Sequence, residues 1–489
     1  MQIIRSIFQN TFFSIVANLL NRISNTLLFI FIIQKISVGD AGIYDLGISY
    51  FFISSRLALL GLGHLLIRDV AAERERADKY ISSFLLARIL LATLAIAISI
   101  SFIFLTSYDP TTKLIVTIML IGVFPENINE LCLGIYVAYE EVHFNSISVV
   151  TNAAIKLGLG LVLVYQGYGL IAIAGIILTG HLCAMVINLL IIHRRYVTEW
   201  KYPDISFLKE QLPIALPFII ISTFYILDNR LDKVLLSFLS NEEAIGLYAA
   251  ATTVILGISL VSDAYRDAVL PIMSRYRYHD ISKLHSLYSH SYKLLLVIGI
   301  AFVIEIFLTG DDILYLLYQK DLPTAVLALQ VMSFSIVFTF INALSTRLLL
   351  VYDKHRLTAR FMLVTAVINI IVVIILIPQI GVLGAAIGTT LAAVLRFLLL
   401  NREAFKLIPR TNQTAFNWRL LLTSTLMAAV IWKLDSWGFL LQSIIGIATY
   451  TIALFLSGAI SAEERNLLAN IARQTYIKLT SLHSQTKSL

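Results

Sequence analysis

Apolar stretches long enough to cross a lipid bilayer recur along nearly the whole chain. Each covers roughly 18 to 25 residues, the length that a helix needs to cross a hydrocarbon core of about 30 Å. Of the 489 residues, 58% are hydrophobic and 14% are charged, whereas soluble domains are about half apolar and a quarter charged. A water-soluble fold is therefore excluded. Helices are expected to span the membrane, because barrel strands would be alternating runs of about ten residues.

The stretches predict an all-α polytopic membrane protein with about fourteen transmembrane helices. Their limits are about 12–33, 43–67, 83–106, 113–138, 146–165, 170–192, 212–238, 244–270, 290–309, 324–351, 359–377, 382–400, 419–434 and 438–458. The start of the chain has no small-residue cleavage site behind a clean apolar core, so we interpret it as a retained first helix and not as a signal peptide.

The loops between these helices differ in their content of Lys and Arg. One alternating set, together with both termini, holds most of the basic residues outside the helices, including Arg74, Arg76, Arg194, Arg195, Arg275, Arg277, Arg356, Arg402 and Arg410. Cytoplasmic loops carry such an excess. We therefore expect a multi-pass protein of the cytoplasmic (inner) membrane with both termini in the cytoplasm.

Three short motifs recur in the same order in the two halves of the chain. Gly39-Asp-Ala-Gly-Ile-Tyr44 is matched by Glu243-Ala-Ile-Gly-Leu-Tyr248, Tyr139-Glu-Glu141 by Tyr352-Asp-Lys354, and Tyr168-Gly-Leu-Ile-Ala-Ile-Ala174 by Ile380-Gly-Val-Leu-Gly-Ala-Ala386. Chance recurrence in an apolar sequence is the alternative. As repeats, the motifs predict pseudo-symmetric six-helix lobes at residues 1–200 and 201–410, with the last two helices and a cytoplasmic tail at 411–489.

The same motifs carry a family resemblance. Leu212-Pro213, Pro217, Asp228, Arg230-Leu-Asp232-Lys233, Gly246-Leu-Tyr-Ala-Ala250, Leu270-Pro271 and Gly381-Val-Leu-Gly-Ala-Ala386 follow one another in that order. The chain thus resembles the polysaccharide-transporter (Wzx-type flippase) branch of the multidrug/oligosaccharidyl-lipid/polysaccharide exporter superfamily. The resemblance implies two lobes around a central cavity that opens alternately to either side. It also implies flipping of an undecaprenyl-pyrophosphate-linked oligosaccharide, for example in O-antigen synthesis.

Ionisable residues inside membrane helices are costly and are therefore candidates for function. On the first helix, Asn18, Asn21, Arg22 and Asn25 share one face. With Arg56 and Lys156 they are predicted to line a cationic chamber that binds the pyrophosphate of a lipid carrier. The alternative pairs the cations with Glu126 or Glu130 in structural salt bridges.

Arg266 is a third cationic candidate. Lipid II flippases, a related branch, have cavity arginines on their first, second and eighth helices, which the resemblance places at Arg22, Arg56 and Arg266. Asp263 and Asp267 lie at helical spacing from Arg266. Neutralisation on its own helix is therefore the alternative for Arg266.

Acidic residues in the helices are candidates for binding Na⁺ or H⁺. Pro125 precedes Glu126, Asn129 and Glu130, which share a face of a helix that the proline is expected to kink. The further candidates are Asp228, Asp232 and Asp263, although Arg230 and Lys233 lie beside the first two and local pairing is the alternative.

Other chemistry is not expected from this sequence. The single histidines His64 and His181 lack ligand partners at suitable spacing, so packing or a hydrogen bond is predicted for them, and no metal. No phosphate-binding loop is present, so we expect no cofactor and no ATP hydrolysis. The expected energy source is an ion gradient, used by an antiporter, or the downstream consumption of the product. Arg88, Arg347 and Arg396 are expected to reach water at helix ends.

The expected partners are the lipid-linked oligosaccharide, membrane lipids and the polysaccharide polymerase machinery, with no nucleic acid. Two rival functions remain. The first is a multidrug-type exporter of the same superfamily, whose cationic substrates a positive chamber would repel. The second is a membrane-embedded glycan-processing enzyme, which would need a larger outer loop or a convergent catalytic set. We therefore predict a transporter and not an enzyme.

Overall fold

The computed structural model describes the backbone of residues 2–59, 61–74, 77–197, 201–408 and 418–459. Within these ranges it describes every side chain except those of residues 2–12, 64, 212 and 215–229.

The described residues form α-helices, joined by short turns, and no strand. The helices are α1 (Gln2–Lys35), α2 (Val38–Leu59), α3 (Leu62–Ala72), α4 (Ala77–Leu105), α5 (Pro110–Ile121), α6 (Val123–Ala138), α7 (His143–Tyr165), α8 (Leu170–Arg195), α9 (Ile205–Leu239), α10 (Glu242–His279), α11 (Ile281–Tyr318), α12 (Pro323–Val351), α13 (His355–Ile380), α14 (Val382–Leu407), α15 (Trp418–Lys433) and α16 (Phe439–Leu456). A 3₁₀ turn at Asp435–Trp437 joins the last two.

The length and composition of these helices confirm the prediction of an all-α membrane protein. Among the described residues, 11 helical segments are long and apolar enough to cross a membrane. The number fourteen itself stays a prediction. Several helices are longer than predicted; α10, for example, continues to His279. Helix α11 begins at Ile281 and is interrupted at Thr309, whose backbone is not helical (φ −123°, ψ 20°), at the point where the predicted helix ends.

Two of the predicted membrane helices are each divided into two pieces. Gly61 has a left-handed backbone (φ 70°) and separates α2 from α3, a conformation that glycine adopts without steric cost. The other division falls at Gly122, between α5 and α6. Pro125 has no N–H to bond the carbonyl one turn earlier, and the helix is interrupted at Gly122, one turn before the proline.

The repeated motifs form matching turns. Glu140 and Asp353, at equivalent positions of the second motif, both have positive φ, 61° and 59°. In each turn the next amide bonds back five residues, Glu141 to Tyr136 O at 2.8 Å and Lys354 to Leu349 O at 2.9 Å. These are the bonds of a helix ending in a left-handed residue. The backbone thus repeats where the sequence does.

The described residues cluster into two compact units. Unit 1 comprises Met1–Thr253, Leu314–Ala328 and Met362–Gly388. An apolar core around Leu66, Phe84 and Ile135 joins α3, α4 and α6. The predicted division into lobes at residues 200 and 410 stays a prediction.

Unit 2 comprises Val254–Ile313, Leu329–Phe361 and Thr389–Leu489. Its core brings Met427, Ile431 and Tyr450 of the α15–α16 hairpin together with Leu296 and Ile341. The hairpin is close-packed, because a Cβ on Gly446 would overlap the side chain of Ile431.

Candidate functional site

The interior of unit 1 holds a group of charged side chains from five helices, here called the charged cluster: Arg56, Arg88, Glu126, Glu130, Lys156 and His181. Arg56 Nη1 of α2 lies 3.6 Å from Glu130 Oε1 of α6. One turn earlier on α6, Glu126 Oε2 lies 3.0 Å from His181 Nδ1 of α8. The kinked acidic face predicted behind Pro125 therefore faces a cation and an imidazole on two other helices.

Lys156 of α7 is held by amides of α1. Its ammonium donates to Asn21 Oδ1 at 2.7 Å and to Asn25 Oδ1 at 2.8 Å, and the residue is only 4% exposed. Both partners are neutral, so these hydrogen bonds solvate the charge without cancelling it. Glu126 lies within electrostatic reach of Lys156.

Arg88 of α4 corrects one expectation. The sequence placed it near a helix end, where a long side chain reaches water, but it is only 1% exposed. Its Nη1 donates to Asn127 Oδ1 at 3.4 Å, and its buried Nε has no hydrogen-bond partner in the described part of the chain. Glu130 and Arg56 lie within electrostatic reach, so Arg88 belongs to the charged cluster.

The charges of the cluster do not cancel. Arg56, Arg88 and Lys156 supply three positive charges against the two carboxylates, so one positive charge is in excess while His181 is neutral. A buried unpaired charge is costly in a membrane protein. The arrangement is therefore suited to an anion, which guanidinium and ammonium groups bind through charge-assisted hydrogen bonds.

The polar face of α1 is split by the structure. Asn21 and Asn25 bind Lys156, whereas Asn18 and Arg22 are exposed. Arg22 forms no ion pair with any described side chain. Of the residues predicted to line the cationic chamber, Lys156, Asn21 and Asn25 are thus in contact, whereas Arg22 takes no part in the ion pairs of the described residues.

A second ionic group connects α2, α9 and α10 within unit 1. Asp45 Oδ1 lies 3.4 Å from Arg230 Nη1, and Asp45 Oδ2 lies 2.5 Å from Lys233 Nζ. The latter contact is an ion pair without hydrogen-bond alignment. Asp232 accepts a hydrogen bond from the Tyr248 hydroxyl. Among the described side chains, Arg230 and Lys233 thus form their ion pairs with Asp45 of α2, and local pairing with Asp228 lies outside the described residues.

Two acidic candidates remain. The side chain of Asp228 lies outside the described residues. In unit 2, Asp263 Oδ1 lies 2.7 Å from Arg266 Nη1, and Asp267 Oδ1 lies 3.0 Å from Arg266 Nε. Arg347 of α12 also contacts Asp267, at 3.1 Å. Arg266 is thus neutralised on its own helix, which is the alternative that the spacing indicated.

Unit 2 contains an apolar groove with a volume of about 590 Å³. Side chains of α11, α12, α14 and α15 line it, among them Ile300, Phe334, Phe338, Phe397 and Leu421. The lining is almost entirely hydrocarbon and aromatic, so the groove accommodates an apolar chain and offers little to a polar headgroup.

The residues that sequence reasoning missed as members of these groups are His181, Arg88 and Asp45. All three are polar residues within long apolar stretches, and this signal alone could have marked them. Their partners could not be read from the sequence, because each partner lies on another helix. No group of three or more His, Cys, Asp or Glu side chains suited to a metal occurs in the part of the chain that the structure describes.

Comparison with known proteins decides the family. The family model described as "Polysaccharide biosynthesis protein" matches residues 7–277, more than half of the chain. The chain belongs to this family. Among curated relatives, the capsular polysaccharide biosynthesis protein CapF of Staphylococcus aureus is 25% identical to this chain over 394 residues. The match covers 78% of this chain and 96% of CapF.

Solved structures share the fold of this polysaccharide biosynthesis protein. The lipid II flippase MurJ in an inward closed conformation superposes with a TM-score of 0.75 at 19% identity, covering 94% of this chain and 100% of that one. An inward-facing multidrug resistance MATE family transporter of the MOP superfamily gives 0.66 at 16% identity, with 79% and 95% covered. The resemblance noted in the sequence is thereby confirmed. The chain thus belongs to the polysaccharide biosynthesis protein family and has the fold of these two solved structures.

Proposed function

We propose that the protein is a flippase that moves an undecaprenyl-pyrophosphate-type lipid-linked oligosaccharide across the cytoplasmic membrane by alternating access. The observation that carries the proposal is the excess positive charge of the charged cluster, buried between membrane helices. Lys156 contributes most clearly, since among the described residues its ammonium hydrogen-bonds only to the neutral amides of Asn21 and Asn25. A pyrophosphate diester supplies the missing negative charge.

The apolar groove of unit 2 supports an amphiphilic substrate. A polyprenyl chain needs a hydrocarbon surface, and the groove offers one of about 590 Å³. The isoprenoid tail of a lipid-linked oligosaccharide is such a chain, whereas a small polar metabolite has no part that suits the groove.

The setting of the reaction follows from the family and the charge pattern. The excess of Lys and Arg in alternate loops supports an inner-membrane protein with both termini in the cytoplasm. We place it in the synthesis of a cell-surface polysaccharide such as O-antigen, with the polymerase machinery as the partner that receives the product. The carboxylates of α6 support coupling to an ion gradient, with antiport as the mode.

A multidrug-type exporter is the second candidate, because a MATE transporter shares the fold. The two functions differ in the charge of the substrate. Cationic drugs would be repelled by the excess positive charge of the charged cluster, whereas an anionic lipid would be attracted. A glycan-processing enzyme would instead alter the chemical structure of the lipid-linked sugar.

The decisive experiment is a leaflet-exchange assay in vesicles. The purified protein is reconstituted, and movement of a fluorescent lipid-pyrophosphate oligosaccharide is followed with and without imposed H⁺ and Na⁺ gradients. We expect translocation by the wild type and a loss of at least tenfold in the Lys156→Ala variant. Lys113→Ala is the matched control, because the bond that Lys113 of α5 forms within the described residues is to a backbone carbonyl, Phe104 O, at 3.4 Å.

The possible results separate the candidates. Translocation that depends on Lys156 supports the flippase. Transport of cationic dyes with no movement of the lipid would establish the exporter. Hydrolysis or elongation of the sugar would establish the enzyme. Dependence on one of the two gradients would identify the coupling ion.

A further inference from the structure

Arg88 of α4 is a buried cation that forms no ion pair with a described carboxylate. The residue is 1% exposed. Its Nη1 donates to the neutral amide of Asn127 at 3.4 Å, and its Nε has no hydrogen-bond partner in the described part of the chain. A buried donor without an acceptor costs free energy, and so does a buried charge without a counter-ion. A carboxylate that reached Arg88 would therefore be bound strongly.

The guanidinium of Arg88 is enclosed by its neighbours and does not face a substrate. A Cβ added to Gly63 of α3 would lie 3.3 Å from Arg88 Nη2, so the backbone of α3 closes one side of the group. Asn127, which accepts its hydrogen bond on the side of α6, is fully buried. Since Arg88 is held between two helices, an ion pair with it requires that a carboxylate moves toward it.

Glu130 of α6 is the carboxylate that lies within electrostatic reach of Arg88. It follows Asn127 by three residues and so lies on the same side of the helix. In the structure its Oε1 lies 3.6 Å from Arg56 Nη1, which is longer than a hydrogen bond. Glu130 therefore lies between two guanidinium groups and is tightly bound to neither. A rotation of its side chain carries the carboxylate from Arg56 toward Arg88.

The two guanidinium groups differ in exposure. The side chains of Arg56 and Glu130 are 35% and 26% exposed, so a ligand can reach this pair, whereas Arg88 is enclosed. A phosphate competes with Glu130 for Arg56, because a guanidinium binds phosphate through two parallel charge-assisted hydrogen bonds. The displaced carboxylate then needs a new cation. Arg88 supplies one on the buried side.

Lys156 offers a separate place for a phosphate. Among the described residues its ammonium hydrogen-bonds only to the neutral amides of Asn21 and Asn25, so an anion binds there without displacing a carboxylate. Lys156 and Arg56 both lie within electrostatic reach of one carboxylate of the charged cluster. A lipid with a single phosphate is therefore satisfied at Lys156. A pyrophosphate has a second charged phosphate, which gains Arg56 only by displacing Glu130.

We propose that Glu130 passes from Arg56 to Arg88 when the pyrophosphate of the substrate binds, and that this exchange selects lipid pyrophosphates over lipid monophosphates. The inference rests on the proposed function and adds to it the device that recognises the second phosphate. Arg88 is a positioning residue, since it acts through Glu130 and does not contact the substrate. Specificity arises because a monophosphate lipid leaves the pair of Arg56 and Glu130 intact and gains neither new interaction.

The test compares two probes that share the undecaprenyl tail and the sugar, undecaprenyl-pyrophosphoryl-glucose and undecaprenyl-phosphoryl-glucose. All of their phosphates are diesters, so the probes carry two negative charges and one. Dissociation constants are measured for the full-length protein in nanodiscs at one pH and one ionic strength. The preference is the Kd of the monophosphate probe divided by that of the pyrophosphate probe. We expect a preference of about tenfold or more in the wild type, a typical size for coupling between sites.

A double-mutant cycle on this preference isolates the exchange. Arg88→Met removes the cation that receives Glu130, so the pyrophosphate probe should bind more weakly and the preference should fall. Glu130→Gln leaves Arg56 open to either probe, so the monophosphate probe should bind more tightly and the preference should fall as well. Adding Arg88→Met to Glu130→Gln should lower it no further, since no carboxylate is left to move. Lys79→Met, which breaks an ion pair outside the cluster on the same helix, is the matched control and should keep the preference of the wild type.

A second measurement applies if Arg88→Met does not fold. In a structure of the wild type with the pyrophosphate probe bound, a carboxylate oxygen of Glu130 should lie within about 4 Å of the Arg88 guanidinium, the limit of an ion pair. Arg88→Lys keeps the positive charge and should retain most of the preference. Glu130 still beside Arg56 in the occupied protein would contradict the exchange.

Other results would also overturn the proposal. If Arg88→Met lowered the preference equally with and without Glu130→Gln, Arg88 would act on the substrate directly. Equal affinity of the wild type for both probes, or an unchanged preference in Arg88→Met or Glu130→Gln, would mean that no exchange takes place. In these cases the flippase assignment would stand, because the lipid pyrophosphate still binds. Failure of the wild type to bind either probe would reject the flippase assignment and the exchange together.

Discussion

Gly42 of α2 and Gly246 of α10, the equivalent glycines of the first repeated motif, pack against each other's helices at backbone contact distance. A Cβ on Gly42 would overlap the carbonyl of Glu242, and a Cβ on Gly246 would overlap the carbonyl of Val38. The contact is reciprocal, as expected for two copies of one motif related by a pseudo-two-fold axis. Glycine is required here for close approach, since neither backbone φ is positive.

Replacing either glycine with alanine should therefore destabilise the protein. The overlapping atoms are backbone carbonyls, which cannot move without shifting a helix, and overpacking of this kind costs about 1–3 kcal/mol. Thermal unfolding in detergent would show a lower midpoint for Gly42→Ala and for Gly246→Ala. Gly257→Ala is the control on α10, because nothing lies within 4 Å of its added Cβ. Midpoints equal to that of the control would show that the contact is not close-packed.

The ion pairs of Asp45 give a second prediction. The side chains of Asp45 and Lys233 are 11% and 6% exposed, so Asp45→Asn leaves a buried ammonium with a neutral neighbour. Loss of one partner of a buried pair costs about 3–5 kcal/mol. In a double-mutant cycle, Lys233→Met should lower the free energy of unfolding less in the Asp45→Asn background than in the wild type. Additive effects on the unfolding midpoint would mean that the pair contributes nothing.

The helices could be predicted from the sequence, because apolar length determines them locally. Pro125 marked one irregular helix in advance, whereas the breaks at Gly61 and Gly122 were not predicted. The repeat was also visible, and its turns at Glu140 and Asp353 share their backbone geometry. These features depend on neighbours along the chain.

The partners of the buried charges could not be predicted in the same way. Membrane helices are apolar on nearly every face, so their sequence does not fix how each is rotated toward its neighbours. Arg56 was predicted to line a cationic chamber, with a salt bridge to Glu126 or Glu130 as the alternative, and in the structure it lies 3.6 Å from Glu130. Lys156 was predicted for the same chamber, and its attachment to Asn21 and Asn25 depends on the rotation of α1 against α7.

Stability in acid should depend on Asp204, which lies outside the membrane helices and caps α9 by accepting from Phe207 N at 3.0 Å. Lys79 lies 2.8 Å from its Oδ2, and this hydrogen bond is the main reason why the pKa of Asp204 is below its usual value, with the Phe207 amide contributing next. A carboxyl group whose pKa is lower in the folded state stabilises the fold at pH values above its pKa in the unfolded chain, about 3.9 for Asp.

This stabilisation should disappear as the pH falls from about 4 through the lowered pKa of folded Asp204. Asp204→Asn keeps the oxygen that caps the helix but removes the charge, so its unfolding midpoint should fall below that of the wild type at pH 7 and converge with it in acid. The effect should be small, because both side chains are partly exposed. A difference that grows toward low pH would contradict the assignment.

Arg22 and Arg56 should separate stability from transport. Arg22 is exposed and forms no ion pair with a described side chain, so Arg22→Ala should change the free energy of unfolding by less than about 0.5 kcal/mol. Arg56→Ala removes the cation beside Glu130 and should cost about 1–3 kcal/mol. Under the proposed function, both variants translocate the lipid-linked oligosaccharide more slowly.

Adding Glu130→Gln to Arg56→Ala distinguishes the two roles of Arg56. The second change removes the carboxylate that the first left unpaired, so the unfolding midpoint should recover toward that of the wild type. Translocation should stay impaired, because the double variant still lacks the guanidinium that binds the pyrophosphate. Recovery of both properties would show that Arg56 serves only to neutralise Glu130, and the anion site would then rest on Lys156 and Arg88.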